Sequence, residues 1–279
     1  MAAPFNRLLL ATEHTEHDRG AEALAFALVR RCGLPLWGVM PIVSNAEFEM
    51  VAPQVAAKDD NAAAAKRKAL EDIARTQGVV FEMRLRHGPE LYVEIVAEAR
   101  ERGSDLIVIR PRGRRGLLAN LLVGEMVHKV VAHAPCSVLI VPPPAAMWSR
   151  RILVAVDPTA PDAGTVQAAC AVAAECGLPL HVVCVAADAS ARPAAEQALA
   201  TALTQARVSH AAVDGKVRIG RAHHELIAAA REVGADLLVV GRHGGDSLSH
   251  AWLGGTAQKV IGLADCPVLV SIPATSVLP

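Results

Sequence analysis

The stretch RILVAVD at residues 151–157 is a short apolar run that ends on a carboxylate, and RLLLATE at residues 7–13 repeats the pattern 144 positions earlier. A second match follows at the same offset, since CGLPL occurs at residues 32–36 and again at residues 176–180. Matches at a fixed offset indicate an internal repeat. The chain therefore contains two copies of one unit.

The ends of the two copies also match, at a slightly smaller offset. DLIVI at residues 105–109 corresponds to DLLVV at residues 236–240. CSVLIV at residues 136–141 corresponds in the same way to CPVLVS at residues 266–271. The second copy is therefore shorter in its middle than the first copy, while both keep the same order of strand-like runs.

A proline-rich stretch separates the two copies. The sequence PPPAAMWS at residues 142–149 opens with three prolines, which lack the backbone N–H that a regular helix or strand needs. We interpret this stretch as a linker. The sequence thus predicts one domain over residues 1–144 and a second domain over residues 150–279.

Each copy alternates short apolar runs with helical patterns. The run LIVI at residues 106–109 has no polar alternation, which indicates a strand covered on both faces. Residues 90–102 carry the one-sided apolar stripe of a helix packed on a sheet. In the first copy the predicted strands lie near residues 6–12, 36–43, 79–87, 105–110 and 137–141, and the predicted helices near residues 18–32, 57–77, 90–102 and 120–133. The fold class predicted is α/β, with two tandem five-stranded parallel sheets, Rossmann-like, in the order 3-2-1-4-5 and helices on both faces.

The composition excludes several classes of protein. The 279 residues are 52% hydrophobic and 20% charged, which suits a packed core and is too apolar for disorder. Lys and Arg number 28, as do Asp and Glu, and aromatic residues make up 3%, so a nucleic-acid binder is not expected. No membrane-length apolar run or secretory leader is visible in the sequence. We expect a cytoplasmic protein that binds no membrane.

The fourth strand of the second copy leads into a glycine-rich loop. The sequence GRHGGDS at residues 241–247 begins the loop, and Gly254, Gly255 and Thr256 end it at the start of a predicted helix. Ligands of parallel sheets bind beyond the carboxyl ends of the strands. Glycine lets backbone N–H groups approach a phosphate, and a helix N-terminus attracts anions. The loop therefore predicts a phosphate site near Asp157, which ends the first strand of the same copy.

These glycines follow the spacing G-x2-G-x9-G, and together with Asp157 they make the chain resemble the universal stress protein family over both copies. Nucleotide-binding members of that family carry this motif after the fourth strand, followed by Ser or Thr. The resemblance implies a site for ATP, ADP or AMP, with Mg²⁺ as an accompanying ion. The residues expected to form the site are Asp157, Val185, Val240, Gly241, Arg242, His243, Gly244, Gly254, Gly255 and Thr256.

The resemblance also gives several of these residues a role. Val185 would present backbone to adenine, and Asp157 would meet adenine or ribose. Arg242 and His243 lie inside the loop, where their charge and place put them within reach of phosphates. The second copy departs from the family at one position, because Gly255 stands where the family has a phosphate-binding hydroxyl. That hydroxyl is lost unless the neighbouring threonine substitutes for it.

The first copy departs further from the motif. Arg110 replaces the first glycine, Pro111 removes an N–H donor, and Glu125 stands at the hydroxyl position. Ten residues rather than nine separate the remaining two glycines, and Glu13 replaces the aspartate. Because a carboxylate at that helix N-terminus would act as an internal anion and repel a triphosphate, no ATP site is expected there. The arginine cluster at residues 110–115 is interpreted as a solvated loop, with an anion or partner contact as the alternative.

These observations favour a nucleotide-binding protein of stress signalling over a catalyst. No general base or Ser-His-Asp arrangement is recognisable, so any ATP hydrolysis is expected to be slow. Two alternatives stay open: a scaffold that binds partner proteins and no nucleotide, which the missing hydroxyl favours, and an adenylate-forming enzyme of similar fold. The histidines His14, His17, His223 and His224 fit no common zinc spacing, and no metal site is expected.

The final strand of each copy is short and apolar, at residues 138–141 and 268–270. An unpaired edge strand exposes a row of backbone N–H and C=O groups. In the resembled family such edges pair between protomers, and here the two copies can pair within one chain. We therefore predict a pseudo-twofold unit joined through these strands. Whether two such units form a homodimer stays open.

Overall fold

The first copy folds as the alternation of apolar runs and helical patterns predicts. The computed structural model describes residues 4–13, 18–44, 50, 53–111, 124–209, 212–242 and 253–273. Within these residues the N-terminal half contains, in chain order, β1 (Leu8–Ala11), α1 (Arg19–Cys32), β2 (Leu36–Val43), α2 (Pro53–Gln77), β3 (Phe81–Gly88), α3 (Leu91–Glu101), β4 (Leu106–Ile109), α4 (Glu125–His133) and β5 (Ser137–Ile140). Residues 120–123, which were predicted to open α4, lie outside the described residues.

The C-terminal half repeats the same order of elements. Its described elements are β6 (Ile152–Val156), α5 (Ala163–Cys176), β7 (Leu180–Ala186), α6 (Arg192–Ser209), β8 (Val213–Ile219), α7 (Ala222–Val233), β9 (Leu237–Gly241), α8 (Gly255–Leu263) and β10 (Val268–Ser271). Helices α1, α5 and α7 each end at a left-handed glycine, namely Gly33, Gly177 and Gly234. Glycine is favoured there because it has no Cβ to clash in that conformation.

The strands of both halves join into one sheet. Within each half they lie in the predicted order 3-2-1-4-5 and pair in parallel. The last strands of the two halves then pair antiparallel, with Leu139 opposite Leu269. The ten strands follow the order β3-β2-β1-β4-β5-β10-β9-β6-β7-β8. Pairing through the final strands is confirmed. The two tandem five-stranded sheets of the prediction are corrected to one ten-stranded sheet, because each edge supplies the backbone hydrogen bonds that the other lacks.

Different helices cover the two faces of this sheet. One face packs on α1, α2, α5 and α6 and the other on α3, α4, α7 and α8, and both halves contribute buried residues to each layer. Alternate residues of one strand divide between the layers, so that Leu8 and Leu10 join the first and Leu9 joins the second. Burial on both faces explains why these strands show no polar alternation.

No helix among the described residues combines the length and the apolar character that crossing a bilayer requires.

The seam between β5 and β10 is buried, and polar contacts close its end. Leu139 and Leu269 are each 1% exposed. At the edge of the seam the hydroxyl of Ser137 accepts a hydrogen bond from the Ile272 N–H at 3.2 Å. The linker is fixed nearby, since Trp148 is buried and its indole N–H donates to the Cys176 sulfur at 3.3 Å. The linker and the seam together hold the two halves as one body.

Truncating Leu139 to alanine tests the seam. We expect Leu139→Ala to lose about 2–5 kcal/mol of unfolding free energy, because it opens a cavity between the halves. The control variant Val208→Ala alters a residue that is 88% exposed, and it should change the unfolding free energy by less than about 0.5 kcal/mol. Urea denaturation followed by circular dichroism measures both variants. A loss below about 1 kcal/mol at Leu139 would contradict a tightly packed seam.

Candidate functional site

A cavity of about 300 Å³ opens at the carboxyl ends of β6 and β9 in the C-terminal half. These two strands are neighbours in the sheet, and β7 lies on the other side of β6. The chain therefore leaves β6 and β9 in opposite directions across the sheet, which opens a crevice between their ends. Ligands of open α/β sheets bind at such points.

The structure brings most of the predicted site residues together around this cavity. The residues that line it include Asp157, Val185, Val240, Gly241, Arg242, Gly254, Gly255 and Thr256. The two other predicted residues, His243 and Gly244, lie outside the described residues. Residues far apart in the chain thus meet at one place, as the sequence predicts, while their part in binding stays a prediction.

The inner part of the cavity is apolar. Val185 on β7 and Val240 on β9 are buried there, and Ala155 on β6 is half-buried. Helix α7 adds Ala222 and Leu226. Sequence reasoning missed these last three residues, because a short apolar side chain that lines a cavity has the same pattern as one in the core. This part of the cavity suits a flat, weakly polar group such as a purine ring.

Two aspartates fix the conformation of the segment between β6 and α5, which forms one side of the cavity. Asp157 accepts hydrogen bonds through Oδ1 from the Thr159 N–H at 2.8 Å and from the Thr159 hydroxyl at 2.6 Å. Asp162 caps α5 by accepting from the Gly164 N–H at 2.9 Å and from the Thr165 hydroxyl at 2.6 Å. Such turns and caps have a local sequence pattern, D-P-T and D-A-G-T here, through which these neighbours were identifiable.

The N-terminus of α8 forms the polar end of the cavity. Gln258 donates its N–H to the Gly254 carbonyl at 2.9 Å, which begins the helical ladder and leaves the N–H groups of Gly255, Thr256 and Ala257 outside that ladder. All three of those residues line the cavity. The Gly254 N–H is not directed to a ligand, because it donates to the Arg242 carbonyl at 2.9 Å and closes the base of the loop.

Arg242 links the cavity to the N-terminal half. Its Nη1 donates to the carbonyl of Ala132 at 3.4 Å and of Ala134 at 3.5 Å, at the end of α4. The carbonyls at a helix C-terminus carry partial negative charge, which attracts the guanidinium. Burial lowers the pKa of Arg242. The sequence predicts Arg242 at the phosphates, and the structure turns one of its nitrogens to the other half instead, although the residue still lines the cavity.

The same place in the N-terminal half is closed. In its described residues the cavity beside β1 and β4 measures about 10 Å³. Arg110 stands where the C-terminal half has Gly241, and it pairs with Glu13 at 3.1 Å and closely with Asp18. An arginine side chain and its own counter-ions thus occupy the end of the sheet where the other half keeps a crevice.

The ion pairs of Arg110 belong to a larger buried network. The Thr12 hydroxyl lies 3.0 Å from Asp18 and 2.6 Å from Glu22, and Lys66 pairs with Glu22 at 2.9 Å. Burial raises the pKa of Asp18, and the charges of Arg110 and Lys66 oppose that rise. Sequence reasoning missed Asp18, Glu22 and Lys66, because nothing in a local pattern joins helix α1 to helix α2.

Glu125 was expected to be the internal anion of this half. Its side chain is instead 83% exposed and pairs with Lys129 at 3.1 Å. Among the described residues, Glu13 and Asp18 are instead the carboxylates that pair with the Arg110 guanidinium. The described residues contain no group of three His, Cys, Asp or Glu side chains suited to a metal ion, and His14 and His17 lie outside them.

The model of the universal stress protein family matches residues 4–142 and again residues 149–271. A universal stress protein from Archaeoglobus fulgidus is 20% identical over 95% of this chain and 96% of that one, with a TM-score of 0.70. A protein from Pseudomonas aeruginosa that is assigned to the universal stress proteins is 20% identical over 98% and 96% of the two chains, with a TM-score of 0.68.

The fold also occurs in a protein of another kind. The cytoplasmic domain of a prokaryotic cation chloride cotransporter is 12% identical over 96% of each chain, with a TM-score of 0.53. No protein among the curated ones matches this chain. At these identities the solved structures show the fold, and the chemistry of the site has to be argued from the site itself.

Replacing Arg110 by alanine tests the closed site. Because Asp18 stays buried and loses its cation, we expect Arg110→Ala to lose about 3–5 kcal/mol of unfolding free energy near neutral pH. The loss should shrink as the pH falls, since a buried carboxyl with a raised pKa is most stable protonated. The control Arg100→Ala removes an exposed guanidinium that donates to the His133 carbonyl at 3.4 Å, and it should cost less than about 0.5 kcal/mol.

Urea denaturation at about pH 7 and about pH 4 measures these differences between variant and wild type. Equal losses at the two pH values would contradict the assignment of Asp18 as the buried partner of Arg110.

Proposed function

The chain belongs to the universal stress protein family, and from that premise we propose that its C-terminal half binds an adenine nucleotide, in the first place ATP, as a cytoplasmic signal of stress. One contrast carries the proposal. The C-terminal half has a cavity of about 300 Å³ at the ends of β6 and β9, whereas the matching place in the N-terminal half measures about 10 Å³.

The two ends of the cavity match the two ends of a nucleotide. Ala155, Val185 and Leu226 offer an apolar surface for the base, and the first turn of α8 offers N–H groups for phosphates. Asp157 lies between these ends, where it would meet adenine or ribose, and Thr159 holds one of its oxygens in place. Any Mg²⁺ would arrive with the phosphates of the nucleotide.

The geometry supports binding rather than rapid turnover. The carboxylates that line the described part of the cavity are Asp157 and Asp162. Both accept hydrogen bonds that order the loop or cap α5, and we assign them to structure and ligand contact rather than to general-base catalysis. Occupancy of the site is therefore the signal that we propose, and Arg242 is the contact through which the N-terminal half would respond.

Titration calorimetry with the purified full chain tests this proposal. We expect ATP, ADP or AMP to bind with one nucleotide per chain, with and without Mg²⁺, because in the described part of the chain the C-terminal half keeps a cavity of this size and the matching place in the N-terminal half does not. GTP serves as the control ligand. If ATP, ADP and AMP all give no heat of binding at millimolar concentration, the proposal is overturned. The alternative of a partner-binding scaffold, which the glycine at position 255 supports, is then favoured.

Adding a hydroxyl at position 255 tests where the phosphates lie. A Cβ built on Gly255 meets nothing within 4 Å, so a side chain fits there without strain. We expect Gly255→Ser to bind ATP on the order of tenfold more tightly, because its hydroxyl donates to a charged oxygen. Gly255→Ala is the matched control, since it adds the same Cβ without the hydroxyl. Equal affinities of the serine and alanine variants would place the phosphates elsewhere.

A further inference from the structure

The internal repeat lets one half of the molecule serve as the reference for the other. Arg86 pairs with Glu94 at 2.9 Å, and Arg218 pairs with Glu225 at 2.7 Å, so α3 and α7 correspond with Glu94 at the position of Glu225. Four residues before each glutamate, Glu90 in the N-terminal half is therefore equivalent to Arg221 in the C-terminal half.

Helices α4 and α8 correspond in the same way. Gly124 and Gly254 are their N-caps and have nearly equal backbone angles, with φ of −53° and −58° and ψ of 140° and 142°. Glu125 therefore corresponds to Gly255, and Lys129 corresponds to Lys259. Both halves thus keep a lysine in the second turn of this helix.

In the N-terminal half this lysine holds two carboxylates. The Nζ of Lys129 lies 3.1 Å from Glu125 and 3.6 Å from Glu90. In the C-terminal half Gly255 and Arg221 replace these two acids. Lys259 therefore lacks both anions, and one of the two acids is replaced by a cation. Within the described part of the chain, neither Arg221 nor Lys259 forms an ion pair with a carboxylate. Among the described residues, the half with the open cavity therefore has no counterpart of the two carboxylates that meet Lys129 in the closed half.

Immediate neighbours of these cations line the cavity. Ala222, which lies between Arg221 and His223, lines the cavity, and so does Gly255. Lys259 is four residues beyond Gly255 and thus lies on the same face of α8. The contact of Lys129 with Glu125 shows that a lysine at this position reaches back to the first residue of the helix.

His223 belongs to the same group of side chains. Tyr92, its counterpart in the N-terminal half, has the Lys129 ammonium 5.2 Å from its ring centre. Burial lowers the pKa of His223, and the charges of His224 and Arg221 on α7 and of Lys259 on α8 lower it further. The groups that act on it are cationic or titrate to a cation, so a bound anion would favour its protonated form.

We propose that Arg221, His223 and Lys259 form an anion subsite at the mouth of the cavity and hold the distal phosphates of a nucleoside triphosphate. We call these three side chains the basic rim. The inference rests on the proposed function, because the nucleoside of the ligand would lie in the cavity beside the rim. The first turn of α8 can bind the phosphate nearest to the ribose without the basic rim. A role for the rim therefore predicts a preference for nucleotides with more than one phosphate. The two carboxylates of the N-terminal half occupy the place that the distal phosphates take in the C-terminal half.

Removing the charges of the basic rim tests how much the distal phosphates contribute to the affinity. The double variant Arg221→Gln/Lys259→Gln should lose about tenfold or more in affinity for ATP and change less than about twofold for AMP. Titration calorimetry of the full chain with ATP, ADP, AMP and adenosine measures this. The matched control is Lys129→Gln, which removes the equivalent lysine from the N-terminal half and should leave both affinities unchanged.

The pH dependence tests His223. Wild type should bind ATP more tightly than His223→Gln at about pH 6, and the two should converge at about pH 8, where the imidazole is neutral. Comparing the two proteins at each pH cancels the titration of ATP itself. Equal affinities at both pH values would remove His223 from the subsite.

The outcomes distinguish this inference from the proposed function. If the chain binds ATP and AMP equally, or if the double variant keeps the wild-type ratio of the two affinities, the subsite is overturned and nucleotide binding stands. If no adenine nucleotide binds, inorganic tripolyphosphate is the probe: its binding to wild type and not to the double variant supports the rim while the proposed function fails. If it does not bind wild type, both proposals are overturned.

Discussion

The antiparallel pairing of β5 with β10 is the contact on which the rest of the molecule depends. Each strand alone would be a short apolar edge with unpaired backbone groups, and their pairing removes both edges at once. The pairing makes ten strands one sheet and lets each helical layer run across both halves. It also brings the end of α4 within hydrogen-bonding distance of Arg242, so the C-terminal cavity touches the N-terminal half directly.

Within this shared frame the two halves have opposite electrostatics. The N-terminal half holds the partly buried Arg110 against Glu13 and Asp18, and these carboxylates offset the cost of removing its charge from water. The C-terminal half has Gly241 at that position and keeps an open crevice. Among the described residues, no carboxylate forms an ion pair with Arg221 or Lys259 there. One copy pairs its arginine with its own carboxylates, and for the other copy we propose an anion from solution.

The family and the fold do not by themselves determine the ligand. The same architecture occurs in universal stress proteins and in the cytoplasmic domain of a cation chloride cotransporter, at identities of 20% and 12%. The features that favour a nucleotide belong to the site itself. They are the apolar inner part of the cavity, the N–H groups of the first turn of α8, and the proposed basic rim. These features lie on different elements and meet only because β6 and β9 are neighbours in the sheet.

The sequence by itself determined the repeat, the strands and helices, the strand order within each half and the glycine loop, because periodicity, glycine spacing and turn residues act over a few neighbouring positions. Only the tertiary structure decided what lies across the fold. It turned Arg242 toward α4 and joined Asp18 to Arg110. These contacts join residues on different elements, and side-chain charge and burial select such partners in space, where no local pattern records them.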